Sequence, residues 1–443
     1  MDSQPEPTPL ESGLTRRQIL RSAGLGVAGL AVGAPLLAAC KGSSGSATSS
    51  SGGTLKIGFV SPRTGPAAGF GEPDEYVLGL ARKAFASGVT VGGKHYDVTI
   101  IDKDGQSDPA RGAQVANDLI HSDQIDLMLT TSTPETVNPV SDACEAAGIP
   151  CVSTVVPWEA WYFGRGAKPG APSPFKFTYH FCFGVEQFFN AYTTMWPQVP
   201  TNKKIGVLWP NDADGNAIRG ALGPMLKKAG YTVVDPGAYS DGTNDYSAQI
   251  AKFKAEDCQI FNTFPIPPDF AIFWQQASQQ GYKPKIAQVA KTGLFPSQVE
   301  ALGAPGVGIA GGEYWGPTWP YSSSLTGVTS QQLGDGYQTS SSKQWNQQLG
   351  ASMALFDVAD ALFKASSNPK DKAAVAKTMA TLQVDSVVGK LEWGKGPVAN
   401  VVATPIIGGQ WVKGSKYPLD FVVCENSSDK NVPIAATLQP YGA

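Results

Sequence analysis

The chain is 443 residues long, with a formal net charge of −3, 42% hydrophobic residues and 16% charged residues. That length exceeds what one core fills, so two domains are expected, and the balance of apolar and charged residues excludes a disordered chain. No basic stripe accompanies this charge, which removes the electrostatic signature of nucleic-acid binding.

The first residues read as an address rather than as fold. TRRQILR (Thr15 to Arg21) sets paired arginines before a weakly apolar Gly/Ala-rich segment ending in Leu37, Ala38, Ala39 and Cys40. The pattern is that of a Tat-type lipoprotein signal over residues 1–39, with Cys40 as the lipid-modified first residue of the mature chain. Interrupted by Gly and Pro, the segment is short for a ~20-residue membrane span. Residues 40–53 are a Ser/Gly tether, so the body is expected outside the cytoplasm, anchored to the cell membrane. With Cys40 set aside, Cys144, Cys151, Cys182, Cys258 and Cys424 remain, an odd number. Export permits disulfides, and spacing does not choose between a bond and buried thiols.

From Thr54 strands and helices alternate. TLKIGFVSP reads as a strand, EPDEYVLGLARKAFAS as a helix, HYDVTIIDKDGQSD as a strand with its exit loop, and PARGAQVANDLIHSD as a helix with Ala113, Ala116 and Ile120 on one face. IDLMLTTST is a near-continuous apolar run, as in a parallel strand buried on both faces. PETVNPVSDACEAAG then reads as a helix closed by Gly148, and IPCVS as another strand. Next comes VVPWEAWYFGRG, with Trp158, Trp161, Tyr162 and Phe163 in one loop. Each such ring buries roughly 150–250 Å², so something is expected to cover them. After a Pro/Gly-rich passage the alternation resumes from KKIGVLWPND to PDFAIFWQQASQQG, where Trp274 reads as core. A helical region follows (SQQLGDGYQ, LGASMALFDVADALFKAS, KAAVAKTMATL), and the end of the chain has the turn signals of β hairpins. This βαβ repetition predicts an α/β protein of two doubly wound lobes with parallel central sheets and a ligand at the carboxyl ends of the strands.

Catalytic patterns are missing: there is no GxGxxG after a strand, no Walker A sequence, no HExxH and no GxSxG. His95, His121 and His180 lack ligand spacing with any cysteine. No catalytic residue, metal or cofactor is assigned. Ser132 and Thr133 before Pro134, with Thr136 one turn in, form a helix start whose hydroxyls and amides suit a carboxylate or carbonyl.

The lipobox and tether, LKIGFVSPRTGPAAGFGEP, DLMLTTSTPETVNPVSDACEAAGIPCVST, KKIGVLWPNDADG and a late GGQW, in this order, resemble the solute-binding proteins of ABC importers of the branched-chain amino acid (Leu/Ile/Val) type. The resemblance implies a type I periplasmic binding protein fold with a multi-strand hinge, and chain crossings near Phe177, Tyr314 and Asp385. Residues 54–177 plus 315–385 would form the first lobe, 178–314 plus 386–425 the second, and 426–443 a tail. It also implies that Phe70 covers the ligand, that Ser132, Thr133 and Thr136 take its carboxylate, and that Phe264 is the second lobe's aromatic. Where the family places an acid for the ligand's ammonium, this chain has Lys291. The loop that offers a threonine in amino acid binders here carries Val155, Val156 and Pro157, followed by Trp158 and Trp161. Trp315 and Trp319 lie near a crossing.

These departures favour an aromatic or hydrophobic carboxylate, with Lys291 helping hold its anionic head and Phe70, Trp158, Trp161 and Phe264 around its body. An amino acid would need another acid, with Glu159, Asp212 or Asp214 as candidates. Asp212 and Asp214 otherwise read as a turn and helix cap. The expected partners are a small organic solute, ABC permease subunits with a cytoplasmic ATPase, and the membrane through the lipid, with the protein itself a monomer. A sensor ectodomain and an extracellular hydrolase are the rival readings, the first disfavoured because no membrane span follows Ala443, the second by the missing nucleophile motif.

Overall fold

The computed structural model describes residues 50–442, so the signal and Cys40 expectations fall outside the described residues. In chain order the strands are β1 (Ser50–Ser61), β2 (Val89–Val91), β3 (Lys94–Asp104), β4 (Leu127–Thr131), β5 (Cys151–Thr154), β6 (Thr178–Phe181), β7 (Lys204–Leu208) and β8 (Thr232–Val234). There follow β9 (Ile260–Thr263), β10 (Ile286–Val289), β11 (Ala310–Glu313), β12 (Gln383–Ser386), β13 (Gly389–Glu392), β14 (Val401–Val402), β15 (Ile407–Lys413) and β16 (Leu419–Glu425).

Two mixed, mostly parallel sheets result, one per lobe. The first runs β14-β6-β5-β4-β1-β3-β2 and the second β16-β15-β11-β10-β9-β7-β8. Only β2 opposes its neighbour in the first sheet, whereas β15 runs against both β11 and β16 in the second. β4 and β5 are buried along their whole length, as their unbroken apolar character requires of strands covered by helices on both faces. The helix Gln348–Ala365 is buried nearly all round and lies over β4 and β5, the expected place for a helix apolar on every side.

The chain passes between the lobes three times, but two passages lie elsewhere than the sequence suggests. β6 pairs with β5 in the first sheet, so the first passage falls at 182–184 rather than near Phe177. The second falls at Tyr314, directly after β11. The third falls at 403–406 rather than near Asp385, because the β12–β13 hairpin packs on the helix Gln348–Ala365 and β14 joins β6 in the first sheet. Backbone bonds hold β14 there: the His180 amide donates to the Asn400 carbonyl at 2.8 Å and the Cys182 amide to the Val402 carbonyl at 3.0 Å. The lobes also touch at their rims. Phe70 meets Phe295 edge-on with ring centroids 4.8 Å apart, Lys416 pairs with Asp335 at 3.0 Å, and the Tyr417 hydroxyl donates to Gln338 at 2.6 Å. The tail packs on the second lobe, with Tyr441 edge-on to Trp274.

Candidate binding site

Between the lobes lies a tight cavity of about 30 Å³, lined by Phe70, Ser132, Thr133, Val155, Pro157, Phe183, Phe188, Asp214, Phe264, Ala290, Lys291, Leu294, Gly312, Tyr314 and Ile406. Six of these fifteen stand just beyond strand ends: Ser132 after β4, Val155 after β5, Phe183 after β6, Phe264 after β9, Ala290 after β10 and Tyr314 after β11. In the first sheet β1 lies between β3 and β4, and in the second β7 lies between β8 and β9. The strand order therefore reverses at both, and the diverging loops leave a crevice on each lobe.

Three residues of this lining have φ in the left-handed half of the map: Ser132 at 132°, Val155 at 74° and Lys291 at 45°. A β-branched residue such as Val155 avoids this region, and conformations of this kind cost about 1–3 kcal/mol each. Backbone strain is thus gathered where strands from both lobes deliver residues to the cavity.

Polar groups reach the cavity from opposite sides. On the first lobe, Thr133 caps the helix Pro134–Ala147 by position, with Pro134 as its first residue, but the Thr133 side chain makes no capping bond. Ser132 and Thr136 are buried, and neither hydroxyl has a hydrogen-bond partner among the described residues. Thr136 sits behind the lining rather than in it. On the second lobe, Lys291 is buried with its Nζ 2.8 Å from Asp212 and 2.9 Å from Asp214. Burial pulls the Lys291 ammonium down, but Asp214 and Asp212 more than offset this and hold it well above the ordinary lysine range. Burial pushes the Asp214 carboxyl up to about 7, with Lys291 opposing. Asp212 also caps the helix Ala213–Lys228, accepting the Gly215 amide at 2.6 Å. Lys291 is therefore neither a surface lysine nor a free cation for a solute anion.

Phe70, Ser132, Thr133, Phe264 and Lys291 are brought together on the cavity; the four tryptophans are not. Trp161 is fully buried beside it, its ring 4.9 Å from and parallel to His180, its indole donating to Ser141 at 3.3 Å, and the Arg165 guanidinium 4.6 Å above it. Arg165 in turn binds Asp142 at 2.7 Å and Thr178 at 3.1 Å. These groups are what cover the aromatic loop. Burial holds His180 down at about 3, so it is neutral, with Nε2 donating to the Val156 carbonyl at 2.7 Å and Nδ1 2.8 Å from the Ser153 hydroxyl. Trp158 is half-buried against Tyr162, Phe163 and Gly184. Trp315 lies flat on Gly350 and donates to Ser330 at 3.2 Å, and Trp319 packs with Ile407, Val423 and Val432. Each ring has found core, which is why none lines the cavity.

Glu159 accepts the Val185 amide at 2.9 Å at the start of the helix Val185–Met195 and does not line the cavity. Sequence reasoning placed Asp214 only among alternatives and did not single out Phe183, Phe188, Leu294, Tyr314 or Ile406. Phe183 and Tyr314 stand just past β6 and β11, two strands that the sequence reading did not mark. The five cysteines at 144, 151, 182, 258 and 424 are buried free thiols. Among the described residues no group of side chains suits a metal ion, and no helix is long and apolar enough to cross a membrane.

Two doubly wound lobes, linked by three strands of chain and facing each other across a cavity at their strand ends, are the architecture of a binding protein. The sequence profile of the family described as periplasmic binding protein matches residues 54–416, and the chain belongs to that family. A Leu/Ile/Val-binding protein homolog 8 from Brucella abortus is 23% identical over 252 residues, 56% of this chain and 60% of the relative, so the match spans less than two thirds of that protein's length. The substrate-binding protein LivJ of Streptococcus pneumoniae, solved in complex with isoleucine, has a TM-score of 0.66 at 16% identity, covering 84% of this chain and 99% of that one. A solute-binding protein of an ABC transporter from R. palustris, solved with 4-hydroxybenzoate, has a TM-score of 0.67 at 15% identity, covering 85% and 98%. These structures share the fold, and the expected type I two-lobed architecture is the observed one.

Proposed function

We propose that this chain is the solute-binding component of an ABC importer, held outside the cytoplasm by a lipid on Cys40, and that it closes around an aromatic or other hydrophobic carboxylate. The observation that carries this reading is the lining: Phe70, Phe183, Phe188, Phe264, Tyr314, Leu294 and Ile406 surround the space, and the Ser132 hydroxyl stands free at a helix start beside it. An apolar body is desolvated by the rings, while the head meets hydroxyls and the positive end of the helix Pro134–Ala147. The R. palustris relative bound to 4-hydroxybenzoate supports the ligand class. As a monomer, the closed form would dock on permease subunits driven by a cytoplasmic ATPase, closure being a population shift on solute binding.

An amino acid is the second reading, favoured by Asp214 at the cavity wall and by the isoleucine-bound relative. The test is a thermal-shift series on the full chain with benzoate, phenylacetate, leucine and isoleucine, each at ~1 mM. A ligand at 100 times its Kd stabilises by ~2.7 kcal/mol. We expect shifts with the aromatic acids, and a loss of at least about tenfold in their affinity in Ser132→Ala/Thr136→Ala with little change in folding stability, since hydroxyls without partners contribute little to the fold. Shifts with leucine and isoleucine alone would replace the aromatic reading by the amino acid one. No shift with any small solute would sink the transport role.

A further inference from the structure

Asp214 is 3% exposed and lines the cavity, yet only one of its carboxylate oxygens is engaged. Oδ2 takes the Lys291 ammonium at 2.9 Å, and Oδ1 is buried with no partner among the described residues. Asp212, by contrast, uses both oxygens, one on the Gly215 amide and one on Lys291. The single ammonium thus stands against two acidic side chains, and the cluster has no cation to spare for an anion. Asp214 also lies in the first turn of the helix Ala213–Lys228, where the helix dipole favours a carboxylate. Asp241 and Glu135 add like charge around it. A second anionic group on the solute is repelled from this wall, whereas a donor would satisfy an acceptor whose isolation is otherwise costly.

Resting on the reading above, we infer that Asp214 is the specificity-determining acceptor of the second lobe. The solute is a carboxylate that carries a hydrogen-bond donor, a hydroxyl or amine, on the side facing Asp214. Lys291 is the positioning residue: it fixes Oδ2, turns Oδ1 to the solute and favours the ionised form of the carboxyl against the pull of burial, without itself meeting the solute's head.

Calorimetric titration of the full chain with benzoate, 4-hydroxybenzoate, 4-aminobenzoate, terephthalate and leucine tests this. The donor-bearing acids are expected to bind at least about tenfold more tightly than benzoate, and terephthalate more weakly than benzoate. In Asp214→Asn the donor preference, read as the ratio of the donor-bearing acids to benzoate, should shrink to about threefold or less. Benzoate binding as well as its hydroxy and amino derivatives in the unaltered chain would overturn the role of Asp214 and leave the aromatic-carboxylate reading intact, and this comparison needs no variant. Tight terephthalate binding would show that Asp214 is protonated and donates, which also overturns it. Should leucine alone bind, and lose its affinity in Asp214→Asn, the aromatic preference falls and the acceptor role stands. If none of the five binds, both fall together.

Discussion

The two lobes present the cavity with opposite polar equipment. The first lobe offers Ser132, with Thr136 behind it, uncharged hydroxyls without partners among the described residues; the second offers Lys291 and Asp214, with Asp212 behind them, charges that have largely satisfied one another. A free hydroxyl can be recruited by a solute at little cost to the fold, whereas a buried ion cluster is bound into the fold first and serves the solute with what is left over. What a residue type can do in a site therefore depends on how much of its bonding capacity the fold has already taken.

The aromatic loop of the first lobe is the extreme case of capacity already taken, and it yields the largest expected effect. Trp161→Ala should cost about 3–5 kcal/mol of folding stability, the range for removing a large buried aromatic, because it unstacks His180 and strips the Arg165 guanidinium of its ring. Measured by denaturant titration beside ligand affinity, the variant should keep its Kd within about threefold; a large affinity loss at unchanged stability would return Trp161 to the binding site. Next comes Lys291→Met, expected to cost about 3 kcal/mol. Breaking a buried pair falls in this range, at its low end here because the stranded Asp214, its carboxyl already pushed up by burial, can take up a proton. Neutralising both aspartates, in Lys291→Met/Asp212→Asn/Asp214→Asn, should recover part of the loss. If the single variant were as stable as the unaltered chain, the cluster would contribute nothing to the fold and the contrast between the lobes would collapse.

Glu313, at the end of β11, gives the smaller and pH-dependent test. It is buried, its Oε2 has no partner among the described residues, and burial pushes the carboxyl from its usual 4.5 up to about 8, with Trp319 opposing. Below pH 4.5 both folded and unfolded chains hold this proton and no penalty arises. Between 4.5 and 8 the unfolded chain ionises and the folded one does not, so stability falls as pH rises through that window. Glu313→Gln should match the unaltered chain at pH 4.5 and exceed it at pH 8.5 by on the order of a few kcal/mol. Parallel stability curves for the two proteins would contradict this. His180 has the opposite sign, its depressed pKa withdrawing stability as pH falls from 6.5 toward 3.

The fold was legible because its signals are local. Continuous apolar runs marked β4 and β5, and Thr133 before Pro134 marked a helix start that the structure places on the cavity. The third passage between lobes was not, since β12 to β14 have ordinary hairpin turn signals and their placement depends on partners such as His180, far away in the chain. In the candidate site, Ser132 could be read from its position between a strand and a helix start, and Phe70 and Phe264 from the family resemblance. Lys291 was misread because its charge is decided by Asp212 and Asp214, remote in sequence and disguised as an ordinary helix cap. Trp161 was misread because Arg165, Phe175 and His180, which cover it, look unremarkable one at a time.

The positive φ angles at Ser132, Val155 and Lys291 have a consequence for how this protein can vary. Glycine would occupy each position without strain, so a search for hardier sequences that scores only the unliganded chain should drift toward glycine at these sites. That drift would discard a hydroxyl, an apolar wall and the ion cluster's only cation. Robustness and solute recognition therefore pull these three codons in opposite directions, and the bent residues record which of the two has prevailed.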